Sequence, residues 1–281
     1  MSTSAVEIQA RTLAGYADAS RLRQVHDRDW VLDQAPDSPQ VLLDLGCGIG
    51  QLLRAALERH PTLRQVVGLD GSEHRLAEAA GLLQPYGDRV ALHRADLTEP
   101  APLPYRPDLV TMTSVLHWLY PRERQVFAWV RDQLAPGGSF LLTTYHPEPD
   151  SSGLGGEDEI VRDALTALGV ERESVPGLFA GAGVVPIGTR TRPVGELAEL
   201  LGEFLAVQEQ LERPAEVTVD SAAQYQHFHA ATFGDYYSRL VGPEQRGAFF
   251  RAVGEAAWRR QVEHGWVSRM PVRLWRLAAL G

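Results

Sequence analysis

Short apolar runs alternate with amphipathic stretches between residues 40 and 146. Each apolar run has the length of a buried parallel strand, and each amphipathic stretch repeats its apolar positions at helical spacing. The predicted strands are VLLDLG (41–46), QVVGLD (65–70), RVALHRAD (89–96), PDLVTMTS (107–114) and SFLLTTYH (139–146), and the predicted helices are 50–59, 72–83 and 122–134. Strand and helix therefore alternate through this whole region.

The flanking regions are less regular. Residues 5–35 have a loose helical spacing that ends at Pro36. Between 147 and 192 the chain is rich in Gly, Pro and Ser, which predicts lid loops at 151–156 and 177–183 around one short helix near 157–168. The rest predicts a helix at 194–202, a strand at 204–211, a helical region at 221–263 and a final strand at 271–280.

This order predicts an α/β fold with a doubly wound, mostly parallel, seven-stranded sheet, N-terminal helices and a helical cap inserted before the last strand. We expect an N-terminal helical segment at 1–38, a Rossmann-like core at 39–146, a lid and sixth-strand region at 147–220, and the cap with the final strand at 221–281. In such sheets ligands bind at the carboxyl ends of the strands.

Composition removes several kinds of chemistry. The chain has no lysine, which excludes Schiff-base catalysis and a lysine-bearing phosphate loop. Its single cysteine, Cys47, excludes an intrachain disulfide and a CxxC metal site, and no metal is expected. A net charge of -9 without a basic run disfavours nucleic acid as a partner. With no signal-like or spanning apolar run, we expect a cytoplasmic monomer or homodimer that does not bind membranes.

Glycines are concentrated where the first predicted strand meets the first predicted helix. Gly46, Gly48 and Gly50 follow Asp44, and Asp70 ends the next strand 20 residues after Gly50. This G-x-G-x-G spacing differs from the dinucleotide fingerprint G-x-G-x-x-G. An acidic residue before the loop suits an ammonium group, and a carboxylate after the second strand can accept hydrogen bonds from ribose hydroxyls. A tight turn with no ligand is the alternative interpretation.

Five segments together resemble class I S-adenosylmethionine-dependent methyltransferases over about residues 40–146. DLGCGIG resembles their first motif, GLDGS the ribose-binding second motif, and RADL (94–97) the adenine-binding stretch. SVLHWL (114–119) and LAPGGSFLLTT (134–144) resemble the later parts of the core. The helical region 221–263 resembles, more weakly, the cap of the trans-aconitate and juvenile hormone acid methyltransferase branch.

The resemblance implies S-adenosyl-L-methionine as cofactor. It implies that the methionine part contacts Asp44 and the three glycines, that the ribose contacts Asp70, and that the adenine contacts Asp96 and Leu97. The predicted cofactor site is completed by Gly71, Thr113 and Tyr16, the last closing over the methionine end, with Arg21 as the alternative for that role. Both N-terminal residues have an alternative as ordinary packing or surface residues.

A hydroxyl, ammonium or carbon acceptor needs a base, whereas a carboxylate needs none. The candidates are His117, which follows the fourth strand, and Tyr145 and His146, which end the fifth. Successive side chains in a strand alternate, so only one of the last two can face the crevice. The expected acceptor-binding residues are Trp118, Tyr225, Phe228, His229 and Phe233. The alternatives are a structural His117 and an aromatic helix core.

The sequence thus predicts methyl transfer to a small molecule, with oxygen favoured over nitrogen or carbon, in specialised metabolism. A second hypothesis keeps the cofactor but replaces methylation by a cyclisation or rearrangement. A nicotinamide oxidoreductase on the same type of sheet and a non-enzymatic binding module are further alternatives.

Overall fold

The central sheet has seven strands in the order β3-β2-β1-β4-β5-β7-β6. The computed structural model describes residues 27–148 and 151–280, so the predictions for Tyr16 and Arg21 lie outside the described residues. The strands are β1 Val41–Leu45, β2 Gln65–Asp70, β3 Val90–Arg94, β4 Leu109–Met112, β5 Ser139–Tyr145, β6 Leu205–Val217 and β7 Ser268–Ala279. Neighbours from β3 to β5 pair in parallel, and β7 is antiparallel to β5. The predicted fold class is confirmed.

Helices cover both faces of the sheet. The described helices are α1 Gln51–Arg59, α2 Glu73–Leu83, α3 Leu116–Leu119, α4 Glu123–Gln133, α5 Glu157–Ala167, α6 Val175–Gly181, α7 Val194–Gly202, α8 Ala222–Tyr237 and α9 Arg246–His264, and residues 27–32 are also helical. On one face Leu43 packs in a cluster with Phe127 of α4 and Leu197 of α7. On the other face Leu42 packs with Leu53 of α1 and Val31. Adjacent strand residues therefore pack into the hydrophobic clusters on opposite faces of the sheet. Because both faces are buried, the strands are continuous apolar runs.

The chain separates into two units. The core unit contains residues 27–145, 192–212 and 272–280, and the second unit contains 146–148, 151–191 and 213–271. No helix among the described residues is long and apolar enough to cross a membrane.

Three predictions outside the core need correction. The prediction of a loop at 177–183 is wrong for most of its length, because α6 runs through Gly181 and begins with Pro176 in its first turn, a favoured helix start. The helical region 221–263 is interrupted between α8 and α9 around Gly242-Pro243. The sixth strand extends to Val217 instead of ending at 211.

Strand β6 is thirteen residues long and stands at the edge of the sheet. Its exposed and half-buried residues mostly alternate. Three of its glutamates form ion pairs with arginines of β7. The pairs are Glu209 with Arg276, Glu212 with Arg273, and Glu216 with Arg269. Pro214 lies in the same strand and has no N–H to offer to a further strand.

The second unit is held together around a buried carboxylate on α5. Asp158 is fully buried and accepts hydrogen bonds from the N–H groups of Ile187 and Gly188, at 2.9 and 2.7 Å, and from the hydroxyl of Tyr237 at 2.7 Å. Burial raises the pKa of Asp158 to about 6, although these three donors oppose the shift. The carboxylate thereby joins the segment after α6 to helices α5 and α8.

Candidate functional site

The glycine loop connects the carboxyl end of β1 to α1. Gly46, Gly48 and Gly50 have φ angles of 76°, 54° and 79°, a region that L side chains rarely occupy. A Cβ at Gly46 would lie 2.3 Å from Cγ2 of Val115, so the close packing of the Val115 side chain against the backbone at this position requires glycine there. A Cβ at Gly48 would meet nothing within 4 Å. Gly48 therefore presents bare backbone to open space, where a ligand can approach the main chain.

Asp70 fastens this loop to the end of β2. Its two carboxylate oxygens accept hydrogen bonds from the N–H of Gly48 at 2.9 Å and the N–H of Ser72 at 2.9 Å. Only 4% of Asp70 is exposed. Ser72 in turn caps α2 by accepting a hydrogen bond from the N–H of Arg75. Each Asp70 oxygen keeps a lone pair for a further donor, so the carboxylate can hold the loop and bind hydroxyl groups at once.

Asp44 is a buried carboxylate next to the loop. Its Oδ1 accepts a hydrogen bond from Oγ1 of Thr111 on β4 at 2.7 Å, and its side chain is 2% exposed. Burial raises the pKa of Asp44 to about 7; the Thr111 hydrogen bond lowers it and the charge of Asp70 raises it further. A buried acid of this kind is stabilised in its ionised form by a nearby cation, which is what an ammonium group would supply.

The predicted adenine-contacting residues follow β3. Asp96 is exposed, and its Oδ1 accepts hydrogen bonds from the N–H and the hydroxyl of Thr98 at 2.8 and 2.7 Å. Leu97 is buried, while Gly71 after β2 and Thr113 after β4 are half-buried. All four residues stand just beyond the carboxyl ends of their strands, on the same edge of the sheet as the glycine loop.

Tyr145 ends β5 within a buried polar chain. Its hydroxyl donates a hydrogen bond to Oδ2 of Asp27 and lies 3.0 Å from Oγ of Ser114. Tyr145 is 7% exposed and Asp27 is 3% exposed, whereas Ser114 is half-buried. The three residues come from three separate elements: the helix at 27–32, the turn after β4, and β5.

The other two base candidates are placed differently. His117 lies in α3, is 9% exposed, and its ring centroid is 4.8 Å from that of Trp118, which is half-buried. His146 is half-buried, belongs to the second unit, and its N–H donates to the carbonyl of Pro271 at 3.0 Å. Their catalytic roles stay predictions.

The four predicted acceptor-binding residues of α8 lie in the second unit and are buried against one another. Tyr225, Phe228, His229 and Phe233 are at most 1% exposed. Their rings form a chain of contacts with centroid separations between 5.4 and 6.2 Å. The His229 ring also stacks on Tyr237 at 5.2 Å. In this arrangement the four side chains form a helix core, and their acceptor-binding role stays a prediction.

Three polar residues of this region escaped the sequence interpretation: Thr111, Ser114 and Asp27. Thr111 and Ser114 sit inside or beside an apolar strand, so nothing in the pattern distinguishes them. Asp27 is 118 residues away from its partner Tyr145. Among the described residues, no group of three or more His, Cys, Asp or Glu side chains is arranged to hold a metal ion.

In a comparison with known protein families, residues 43–140 match a family model described as a methyltransferase domain. Trans-aconitate 2-methyltransferase of Streptomyces avermitilis is 38% identical over 112 residues, which are 39% of this chain and 40% of that protein. The enzyme of the same name from Acidovorax sp. is 38% identical over 101 residues, 36% of each chain. The chain thus spans about two fifths of the length of these curated relatives.

Solved structures share the fold over most of the chain. Haemonchus contortus phosphoethanolamine N-methyltransferase 2 in complex with S-adenosyl-L-methionine superposes with a TM-score of 0.52 at 16% identity, covering 91% of this chain and 53% of that one. The [4+2]-cyclase SpnF gives a TM-score of 0.54 at 17% identity, covering 91% and 82%. At these identities the likeness describes the fold.

Proposed function

We propose that this chain, whose residues 43–140 match a family model described as a methyltransferase domain, is a class I S-adenosylmethionine-dependent methyltransferase that transfers a methyl group from S-adenosyl-L-methionine to a small-molecule acceptor. The observation that carries the proposal is the bare backbone of Gly48, which is hydrogen-bonded to the buried carboxylate of Asp70, in a loop that follows the buried carboxylate of Asp44. An amino acid joined to a ribonucleoside needs three things at such a site: a carboxylate that pairs with its ammonium group, an open loop that it can approach, and a hydrogen-bond acceptor for its ribose hydroxyls.

The residues present fit this cofactor. Asp44, with its raised pKa, suits the ammonium group, and the loop from Gly46 to Gly50 suits the methionine part. Asp70 would accept hydrogen bonds from the ribose hydroxyls, and Asp96 with Leu97 would contact the adenine. When bound, the cofactor supplies an activated methyl group on a sulfonium centre. The protein's own contribution is then to orient the acceptor, exclude water and remove a proton where the acceptor carries one.

We propose an oxygen atom as the methylated position, in a specialised metabolite. Relatives named trans-aconitate 2-methyltransferase support a small acceptor, and they make trans-aconitate the first compound to assay. His117, Tyr145 and His146 are separate candidates for the proton acceptor, and Trp118 is the proposed acceptor-contacting residue of the core unit.

The assay incubates the full chain with S-adenosyl-L-methionine carrying a labelled methyl group, and with trans-aconitate, other carboxylic acids, phenols and alcohols in parallel. We expect label in one acceptor class and a product that is heavier by one methylene. A product with the same mass as the acceptor would show that the protein catalyses a rearrangement instead of methylation. Cofactor binding without any converted acceptor would contradict enzymatic transfer to these compounds.

The raised pKa of Asp44 predicts that ligand binding depends on pH. Below about pH 7 the free carboxyl is protonated and cannot pair with an ammonium group, so binding requires proton release. The Kd of S-adenosylhomocysteine should be roughly tenfold higher near pH 6 than near pH 8, since about one carboxyl in ten is ionised one unit below its pKa.

Isothermal titration calorimetry at both pH values, in buffers of different ionisation enthalpy, measures the affinity and the released proton together. Asp44→Asn is the control: this variant should bind more weakly and lose the dependence on pH. Equal affinity of the wild-type protein at both pH values would contradict the assignment of Asp44 to the ammonium group.

A further inference from the structure

The polar chain Asp27–Tyr145–Ser114 has a defined direction. Because the Tyr145 hydroxyl donates its only hydrogen to Asp27, it can meet Ser114 only as an acceptor. Ser114 must therefore donate its own hydroxyl hydrogen to Tyr145 across the 3.0 Å contact. Each proton in the chain points inward, toward Asp27, and the lone pairs of Ser114 Oγ remain directed away from it.

Ser114 holds its place in an unfavourable backbone conformation. Its φ angle of 59° is the only positive one among the non-glycine residues that the structure describes. Such residues persist where the surroundings hold them, often at functional sites. Here the Ser114 N–H donates to Oγ1 of Thr143 at 3.3 Å, and the side chain reaches Tyr145.

Solvent exposure falls along the polar chain from Ser114 to Asp27. Ser114 is half-buried, Tyr145 is 7% exposed and Asp27 is 3% exposed. The accessible end stands two residues after β4, at the carboxyl edge of the sheet that carries Asp44 and the glycine loop. A group that loses a proton at Ser114 thus has a connected path to a buried carboxylate.

We propose that Ser114, Tyr145 and Asp27 form a proton relay that deprotonates the acceptor, and that the acceptor is consequently a hydroxyl compound. This inference rests on the proposed function. The acceptor O–H proton passes to Ser114 Oγ, the Ser114 proton passes to Tyr145, and the Tyr145 proton passes to Asp27. The acceptor oxygen forms its bond to the methyl carbon as the carbon–sulfur bond breaks, and the sulfur keeps the electron pair. Asp27 ends as a neutral acid, which later returns its proton to solvent.

A relay of this kind separates two acceptor classes. A carboxylic acid is already ionised at neutral pH and needs no base, whereas an alcohol or phenol must lose a proton during transfer. Ser114 is the catalytic residue that touches the acceptor, and Tyr145 and Asp27 act through it. The relay therefore favours alcohols and phenols over compounds such as trans-aconitate.

The first test compares Asp27→Asn and Tyr145→Phe with wild type, using phenol and simple alcohols as probe acceptors. We expect kcat to fall about 100-fold in each variant, with the KM of the acceptor and the Kd of S-adenosylhomocysteine unchanged. Tyr86→Phe and Glu58→Gln are matched controls, because they remove the same kind of tyrosine–carboxylate hydrogen bond, 3.3 Å long, from the surface. The two controls should keep wild-type kcat.

The second test replaces phenol by 4-nitrophenol, which is largely ionised in mildly alkaline buffer. Asp27→Asn should lose far less activity with this acceptor, because no proton remains to be removed; a purely structural role would reduce both rates equally. Transfer to trans-aconitate alone, or equal losses with both phenols, would overturn the relay and leave methyl transfer standing. Cofactor binding with no transfer to any acceptor would overturn the proposed function itself, and the relay with it.

Discussion

Asp70→Ala is expected to abolish measurable binding of S-adenosyl-L-methionine, with a rise in Kd of at least about 100-fold. The substitution removes the proposed acceptor of the ribose hydroxyls, and hydrogen bonds to a charged group contribute roughly 1.5–3 kcal/mol each. It also frees the N–H groups of Gly48 and Ser72, which Asp70 now holds at 2.9 Å. Loss of the ligand contacts and loss of the loop anchor act in the same direction.

Calorimetric titration of wild type and variant measures this effect. Asp88→Ala, which removes an exposed carboxylate after α2, is the control and should bind normally. Thermal unfolding of each protein without ligand shows whether the fold survives, and Asp70→Asn keeps the shape of the side chain if the alanine variant does not fold. Wild-type affinity in a folded Asp70→Ala protein would remove Asp70 from the binding site.

A pair of glycine variants should separate folding from binding. In Gly46→Ala the new Cβ meets Val115 at 2.3 Å in a left-handed conformation, so the free energy of unfolding should fall by about 2–5 kcal/mol. Gly48→Ala has the same backbone disadvantage, about 1–2 kcal/mol, but meets no neighbour. Its methyl group points into the space proposed for the ligand, so affinity should fall about tenfold or more.

Urea unfolding and calorimetric titration of the two variants test this contrast directly. The expected pattern is a large loss of stability for Gly46→Ala and a smaller loss with clearly weaker binding for Gly48→Ala. If Gly48→Ala bound the cofactor as well as wild type, the bare backbone at this position would have no part in recognition.

The core could be predicted closely because its strands are buried on both faces. β2 was predicted at 65–70 and found there, since an uninterrupted apolar run ending in Asp70 has few alternative structures. Helix α7 also matches its prediction of 194–202, with apolar residues on one face and Pro193 before it. In these elements the local pattern and the tertiary environment favour the same structure.

The edge of the sheet was harder to predict for a physical reason. Strand β6 continues to Val217, but three of its six residues after Leu211 are charged and one is Pro214. Such a segment resembles a loop when the chain is considered alone. Its extended conformation comes from pairing with β7, a strand about 60 residues further along, and local periodicity carries no information about that partner.

The candidate site also contains residues that local sequence spacing could predict and residues that it could not. The glycine loop, Asp44 and Asp70 could be predicted because their spacing along the chain reflects one strand–turn–helix–strand unit. The relay could not, because Asp27, Ser114 and Tyr145 meet only after three distant elements have assembled. Their chemistry depends on proximity, and a serine after a strand or an aspartate in a helix has no distinguishing sequence feature.

The thirteen-residue edge strand bears on how the protein behaves at high concentration. A long strand with free N–H and C=O groups on one side is a template onto which a second chain could add. The three glutamate–arginine pairs and Pro214 make that addition unfavourable, since an incoming strand would meet charged side chains and one missing donor. The contribution of the charged side chains is electrostatic, so it weakens when salt screens the charges or acid neutralises the glutamates. Concentrated stocks of the protein should therefore keep best in dilute, neutral buffer, and self-association should increase first in strong salt or acid.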